Sequence, residues 1–134
     1  MAAMKPRTTV LAAGLFGVSA VILGAFGAHA LRATLLERGM AGVWETAVQF
    51  HLLHAVALLG LAGWWRGQEG SIAGRRAAWA ARAWVIGIVL FSGSLYLLAL
   101  GAPRWVGPIT PVGGLALIAG WIALLAAGVA ATSD

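Results

Sequence analysis

Four long apolar stretches, separated by short polar segments, dominate the hydropathy pattern of this chain. They run over about residues 8–31, 44–65, 77–101 and 112–131. A helix rises about 1.5 Å per residue, so about 20 apolar residues cross the roughly 30 Å hydrocarbon core of a bilayer. The pattern therefore predicts an all-α membrane protein with four transmembrane helices in a compact antiparallel bundle.

The second stretch is the least uniform of the four, because its first half carries Glu45, Gln49, His51 and His54. Tryptophans stand at both of its ends, which suits the aromatic belts at the two membrane interfaces. Polar side chains within a span turn away from lipid, towards neighbouring helices or a wet cavity. We therefore expect the other helices to supply partners for this one.

Composition agrees with a membrane location for the whole chain. Of its 134 residues, 61% are hydrophobic and 10% are charged, whereas a soluble domain carries about 25% charged residues. The length suits a single domain, predicted to be one integral membrane unit over residues 1–134. Cysteine is absent, which excludes disulfides, thiolate metal sites and a cysteine nucleophile.

The net charge of +5 is distributed in short pieces between the apolar stretches. No basic face with interleaved aromatic residues is present, so nucleic acid is not an expected partner. Cytoplasmic loops of membrane proteins are enriched in Lys and Arg. Six basic residues lie on the side of the termini and three on the other: Lys5, Arg7, Arg66, Arg75, Arg76 and Arg82 against Arg32, Arg38 and Arg104. This balance predicts both termini in the cytoplasm and a multi-pass protein of the inner (plasma) membrane.

The first stretch also imitates a secretory signal, with a basic start and an A-x-A pattern at residues 28–30. Its apolar part is long for a signal core, so we expect it to remain as a span. Small residues recur in it at helical spacing and let another backbone approach closely in lipid. Five glycines are predicted helix-packing positions: Gly17, Gly24, Gly93, Gly113 and Gly120.

The connections carry their own signals. Thr34 and Glu37 have the spacing of a capping box, and Gly39 suits the end of a short interfacial helix. Residues 102–111 contain three prolines, which predicts a stiff connection without helix.

Counting depth along straight helices places most intramembrane polar groups in one leaflet, the outer one in the predicted orientation. We therefore predict a polar pocket in the outer half that opens, if at all, to the outside. Trp121 falls in the middle of its span and is expected to pack inside the bundle. The predicted pocket comprises His29, Gln49, His51, His54, Ser92, Ser94, Tyr96 and Thr110.

The polar residues of the second span do not all lie on one face of the helix, which argues against a single site formed by all of them. At about 100° per residue, His51 and His54 share one face, while Glu45 and Gln49 lie almost opposite His54. A Glu–His dyad within this helix is therefore geometrically poor, and one polar stripe could face a second protomer. Near the start of the helix, Glu45 is explained by the helix dipole alone.

The sequence gives only weak indications of a metal or cofactor site. His51 and His54 have i, i+3 spacing, but no carboxylate shares their face, so no metal site is predicted. The sequence has no hydrolase triad, phosphate loop or dinucleotide fingerprint. No cofactor is predicted, although haem or quinone in the outer half stays open as an alternative.

Three stretches carry a resemblance to a known family: GAFGAHAL at residues 24–31, FHLLHA at 50–55, and FSGSLYLLAL at 91–100 followed by ITPVGG at 109–114 and GW at 120–121. This combination resembles the YgdD-like family of small inner-membrane proteins and covers nearly the whole chain. The resemblance implies a four-span integral membrane protein. The family has no established biochemical function, so it implies no catalytic residue.

The motif match singles out eight positions: His29, His54, Ser92, Gly93, Ser94, Tyr96, Thr110 and Pro111. These positions overlap the predicted pocket. The chain departs from the family pattern at Phe50 and His51, where Tyr and Gln are more usual, and this weakens the case for His51 as a ligand.

Three functions are compatible with these features. The first is a noncatalytic membrane component, homo-oligomeric or accessory to a larger complex, and not an enzyme. The second is a small-molecule or proton-handling protein that uses His54 with Tyr96, Ser92 and Ser94. The third is a haem- or quinone-binding subunit. We favour them in that order, because short loops leave little soluble mass for enzyme work.

Overall fold

The computed structural model describes residues 4–131, and these residues contain four helical segments long and apolar enough to cross a membrane. No strand occurs within this range. The elements, in chain order, are α1 (Pro6–Ala28), α2 (Arg32–Glu37), α3 (Ala41–Trp65), α4 (Ile72–Gly87), a π-helical turn (Ile88–Ser92), α5 (Gly93–Ala99), a 3-10 turn (Arg104–Val106) and α6 (Ile109–Ala131). The predicted all-α, four-span fold is confirmed, and the side that faces the cytoplasm stays a prediction.

Helix α4, the π turn and α5 follow one another without a break and form a single rod, which is the third span. Helix α3 packs against this rod along its length. Helix α1 packs chiefly on α3, and α6 packs on α4 and the π turn. We call the end of the bundle that carries α2 and the 3-10 turn the α2 end, and the opposite end the terminal end.

The third span begins earlier than the hydropathy pattern predicts, at Ile72 and not near residue 77. Ser71 is the reason, because its hydroxyl accepts a hydrogen bond from the backbone N–H of Gly74 at 2.9 Å. This N-cap satisfies a backbone donor that the first turn would otherwise leave unpaired. The helix therefore starts inside the segment predicted as a polar loop.

The short helix α2 begins differently from the prediction. It starts at Arg32 after Leu31, without a side-chain cap, so Thr34 lies inside the helix and the predicted capping box is wrong. Its end agrees better with the sequence pattern. Gly39 has φ +66, and the backbone N–H of Met40 donates to the carbonyl of Leu35 at 2.8 Å. Glycine adopts this left-handed conformation readily, which makes it common just after helices.

The proline-rich connection is not wholly free of helix, contrary to the prediction. A 3-10 turn forms at Arg104–Val106, and α6 already begins at Ile109. Pro111 therefore lies in the first turn of α6. Proline is tolerated there because the first backbone N–H groups of a helix have no partner within it.

Three of the predicted packing glycines lie at close helix contacts. A Cβ at Gly24 would lie 3.3 Å from Cγ1 of Val48, one at Gly113 would meet the backbone at Phe91, and one at Gly120 would meet the indole of Trp84. The missing side chains let α1 approach α3, and α6 approach the rod.

Gly17 and Gly93 differ from the prediction. No atom outside the helix's own backbone lies within 4 Å of a Cβ built at either position. The buried alanines of α1 are instead Ala13 and Ala20, and Ala13 packs in one cluster with Leu58 and Leu61 of α3. Gly17 faces a shallow groove between α1 and α3 that opens to the lipid side.

Substitution of Gly113 by alanine tests the contact between α6 and the π turn. We expect Gly113→Ala to lower the free energy of unfolding by about 1–3 kcal/mol, because the new methyl group overpacks a backbone-to-backbone contact. Thermal unfolding in detergent, followed by circular dichroism, measures the change. Gly128→Ala is the matched control on α6, since no atom lies within 4 Å of its Cβ position. Equal stability of the two variants would contradict the packing assignment.

Candidate functional site

The intramembrane polar side chains lie at the seams between spans. His51, His54, Ser92 and Ser94 are each no more than 5% exposed, and Tyr96 is 9% exposed. Buried polar groups are hydrogen-bonded in most proteins, because an unpaired one is costly away from water. Each of these side chains has a protein partner, and the partners fall into four separate contacts.

The first contact is a row of three side chains that runs from α5 through α3 to α1. The hydroxyl of Tyr96 lies 3.0 Å from Nδ1 of His51, and Nε2 of His51 lies 3.1 Å from Oγ of Ser19. The rings of Phe16 and Tyr96 flank the imidazole. One buried histidine thus joins three spans.

The hydrogen bonds in this row have a preferred direction. Oγ of Ser19 also lies 2.9 Å from the carbonyl oxygen of Leu15, which can only accept. If the Ser19 hydroxyl donates to that carbonyl, Nε2–H of His51 donates to Ser19, and Nδ1 accepts from the Tyr96 hydroxyl. Every donor then has an acceptor, whereas the reverse direction leaves the Tyr96 proton unpaired.

The second contact joins α3 to α6 through His54. Its Nδ1 lies 2.8 Å from the backbone carbonyl of Phe50, and its Nε2 accepts a hydrogen bond from the indole N–H of Trp121 at 3.0 Å. A carbonyl can only accept and an indole N–H can only donate. These two partners therefore select the neutral imidazole with its proton on Nδ1.

Aromatic rings surround the same imidazole. Phe50 stacks on it with ring centroids 6.0 Å apart, and Trp84 and Trp121 meet it edge-on at 6.0 and 5.9 Å. Trp121 itself is 43% exposed, so the expectation that it packs inside the bundle is wrong. Its indole still contacts the interior through the rings of His54 and Trp84.

The third contact depends on the π turn. Ser92 ends this turn, and its hydroxyl donates to the backbone carbonyl of Ala47 on α3 at 2.8 Å. A serine within a helix often bonds to a carbonyl one turn earlier in its own helix. Here the bond crosses to a neighbouring span, in a region that is fully buried.

The fourth contact joins α5 to the start of α6. The hydroxyl oxygens of Ser94 and Thr110 lie 2.6 Å apart, and Ser94 also donates to the carbonyl of Phe91 at 2.9 Å. Ser94 lies on the side of the rod opposite to Ser92 and Tyr96. Ser92, Ser94 and Tyr96 therefore face two different neighbours.

The structure does not gather the predicted pocket residues into one pocket. His29 is exposed at the end of α1, and Gln49 is exposed on the face of α3 away from His54. The other six residues are divided among three places. His51, Tyr96 and Ser92 lie between α3 and the rod. His54 lies between α3 and α6, and Ser94 and Thr110 lie between α5 and α6. Among the predicted pocket residues, Gln49 alone lines one of the principal clefts of the described part of the chain, which measure about 250 to 580 Å³.

Two hydrogen-bond partners of the buried histidines, Ser19 and Trp121, are not among the predicted pocket residues. Depth counted along straight helices places Ser19 in the opposite half of the membrane from His51, whereas the structure brings the two side chains together. Trp121 was treated as a packing residue, although an indole N–H in the middle of a span needs an acceptor. That requirement is a signal in the sequence that could have linked Trp121 to a histidine.

Metal binding finds no support in the described residues. Across residues 4–131, no three side chains of the His, Cys, Asp or Glu type converge as a metal site. Both ring nitrogens of His51 and of His54 already have protein partners. A ligand to either imidazole would have to displace one of these hydrogen bonds.

The fold and these buried seams define a multi-pass α-helical membrane protein whose polar side chains pair between its spans. Comparison with known proteins gives the family. The chain belongs to the family described as "Protein of unknown function (DUF423)", whose profile matches residues 23–114. The resemblance to the YgdD-like family is thereby confirmed.

Three relatives illustrate the match. A UPF0382 membrane protein of Staphylococcus haemolyticus is 40% identical, with 87% of this chain and 90% of the relative covered. YwdK of Bacillus subtilis, also named a UPF0382 membrane protein, is 39% identical over 92% of this chain and 97% of its own length. The UPF0382 inner membrane protein YgdD of Escherichia coli is 37% identical over 91% of this chain and 89% of its own length. No solved structure matches the chain.

Removal of the Tyr96 hydroxyl tests the row at the α3–rod seam. We expect Tyr96→Phe to lower the free energy of unfolding by about 0.6–2 kcal/mol, because Nδ1 of His51 loses its partner in a buried site. Unfolding in detergent measures the change. Thr46→Val is the control, since that hydroxyl bonds only to Gly42 within the same helix. A Tyr96→Phe variant as stable as this control would contradict the assignment.

The partners of His54 predict its tautomer. In bilayers, ¹⁵N NMR of the imidazole is expected to show protonated Nδ1 and unprotonated Nε2. Trp121→Phe should shift the Nε2 resonance, because the hydrogen bond to it is lost. A signal from an Nε2–H tautomer in the unmodified protein would contradict the arrangement.

Proposed function

We propose that this protein is a noncatalytic component of the membrane, which acts as a homo-oligomer or as an accessory to a larger membrane complex. In this proposal its intramembrane polar side chains hold the spans together and do not bind a substrate. The apolar outer faces of α1 and α6 then provide the surfaces for assembly.

The observation that carries the proposal is the pairing of the buried polar groups. His51, His54, Ser92 and Tyr96 all bond to other spans or to backbone carbonyls. Active and binding sites usually present convergent polar groups to a cavity. These side chains line none of the principal clefts in the described residues.

The outer face of α1 supports the part of the proposal that concerns assembly. Only 11% of the apolar window of this span is buried within the chain. A groove of about 250 Å³ runs between α1 and α3, and Gly14 and Gly17 border it. Small residues of this kind allow close approach of another helix in lipid.

Native mass spectrometry of the protein purified in mild detergent tests this function. We expect detergent to extract the protein as a homo-oligomer or in complex with a second protein. Gly14→Val and Gly17→Val should each release a folded monomer, because the added side chains fill the groove. Gly63→Val on α3 is the matched control, since nothing lies within 4 Å of its Cβ position and it borders none of the principal clefts.

Three results would contradict the proposed function. One is a wild-type protein that is monomeric and unpartnered at every detergent ratio. Another is release of the monomer by Gly63→Val as readily as by Gly17→Val. The third is a haem or a quinone retained by the purified protein, which would favour the cofactor-binding alternative.

Proton handling is the second candidate function, and the row of Tyr96, His51 and Ser19 favours it. These groups connect by hydrogen bonds across three spans, and proton relays in membranes use such chains. The residues differ from those in the sequence-based hypothesis, because Tyr96 contacts His51 and not His54.

Proton flux in liposomes separates the two candidates. The noncatalytic function predicts that a pH gradient decays no faster with the wild-type protein than in protein-free liposomes. A faster decay that His51→Ala abolishes, and that Ser94→Ala leaves unchanged, would overturn the first proposal in favour of the second. Ser94 is the control because it belongs to a separate contact.

A further inference from the structure

A cleft of about 300 Å³ lies at the α2 end, between the last turns of α1, the short helix α2 and the first turns of α3. The backbone at Gly24 and Gly27 lies on one side of it. Arg32 borders it from α2, and Glu45 and Gln49 border it from α3. None of the four polar contacts described above involves these residues.

Glu45 is the residue that most needs an explanation. Helix α3 begins at Ala41, and its first turn contains no acidic residue, so Glu45 lies in the second turn. The dipole of a helix acts within its first and last turns. The explanation of Glu45 by the helix dipole is therefore wrong, and an exposed carboxylate at the edge of an apolar span has no partner in its own helix.

Arg32 carries the complementary charge in the same cleft. Within residues 4–131, neither the guanidinium of Arg32 nor the carboxylate of Glu45 forms a hydrogen bond or an ion pair. Both side chains are exposed. One cavity thus presents an unpaired cation from α2 and an unpaired anion from α3, with the amide of Gln49 one helical turn beyond Glu45.

The cleft also has an apolar side that meets the lipid. Leu36 of α2 lines it and is 58% exposed, whereas Leu35 lines it and is buried. A ligand that fits these walls has a positive and a negative group at one end and an apolar part beside them. A phospholipid with a zwitterionic head group has this chemistry, and the end of a transmembrane bundle lies at the depth of such head groups.

We propose that this cleft binds the head group of a zwitterionic phospholipid that carries a primary ammonium. The guanidinium of Arg32 binds the phosphate, because its planar donors match phosphate oxygens. The carboxylate of Glu45 accepts hydrogen bonds from the ammonium, and the amide of Gln49 bonds to the ester region of the same lipid.

A primary ammonium fits better than a quaternary one. Quaternary ammonium groups are recognised by the faces of aromatic rings. Trp44 is the aromatic residue that lines the cleft, but it is only 3% exposed, and its indole N–H donates to the carbonyl of Leu23 at 2.9 Å. A carboxylate without an aromatic cage favours a head group with N–H donors.

Native mass spectrometry of the delipidated protein, titrated with short-chain lipids, tests this site. We expect phosphatidylethanolamine to bind roughly tenfold more tightly than phosphatidylcholine or phosphatidylglycerol, the effect of one charge-assisted hydrogen bond. Arg32→Gln should weaken binding of all three lipids. Glu45→Gln should abolish the preference for ethanolamine and raise the affinity for phosphatidylglycerol, because the repulsion of the anionic lipid is lost.

Glu37→Gln and Arg104→Gln are the matched controls. Glu37 and Arg104 are exposed at the α2 end and do not line the cleft. Their substitution removes one negative and one positive charge, as the two test substitutions do. We expect both controls to bind lipid like the unmodified protein, and free phosphoethanolamine to bind more weakly than the lipid. Equal binding of the three lipids, an effect of the controls as large as that of the test variants, or free phosphoethanolamine as tight as the lipid would each overturn the proposal.

Discussion

The absence of water in the hydrocarbon core is the constraint on which the rest of this structure depends. A polar side chain there has no solvent partner, so each one needs a partner from the protein. The imidazole of His54 shows the solution most clearly, with a carbonyl of its own helix on Nδ1 and the indole of Trp121 on Nε2. Its partners come from two spans, so the hydrogen bonds that satisfy it also fix the position of α6 against α3.

The same arrangement recurs at each seam of the bundle. The α1–α3 seam has the bond between Ser19 and His51, the α3–rod seam has Ser92 on the carbonyl of Ala47, and the start of α6 has Thr110 against Ser94. Between these bonds the contacts consist of alanine, glycine and a few large side chains. Close backbone packing and a small number of directed hydrogen bonds together replace the hydrophobic drive that a soluble bundle would use.

Hydropathy was sufficient to predict the four spans, because length and composition alone distinguish a membrane helix. The neighbours of each polar residue could not be predicted in the same way. Depth along a straight helix gives a level in the membrane but not the span that a side chain faces, and so Ser92 and Ser94 were assigned to one pocket although they face different helices. Glu45 was misread for a simpler reason: α3 begins at Ala41, three residues before the predicted start, which moves that carboxylate out of the first turn.

Water-edited solid-state NMR of the protein in bilayers, with ¹⁵N-labelled histidine, tests most directly whether the buried polar groups are satisfied by the protein itself. His29 is exposed at the end of α1 and serves as the internal reference. We expect rapid magnetisation transfer from water to His29, and none on the same timescale to His51 or His54. Transfer to His51 or His54 as rapid as to His29 would reveal a wet cavity at the seams, and the buried imidazoles would then be satisfied by water and not by the protein.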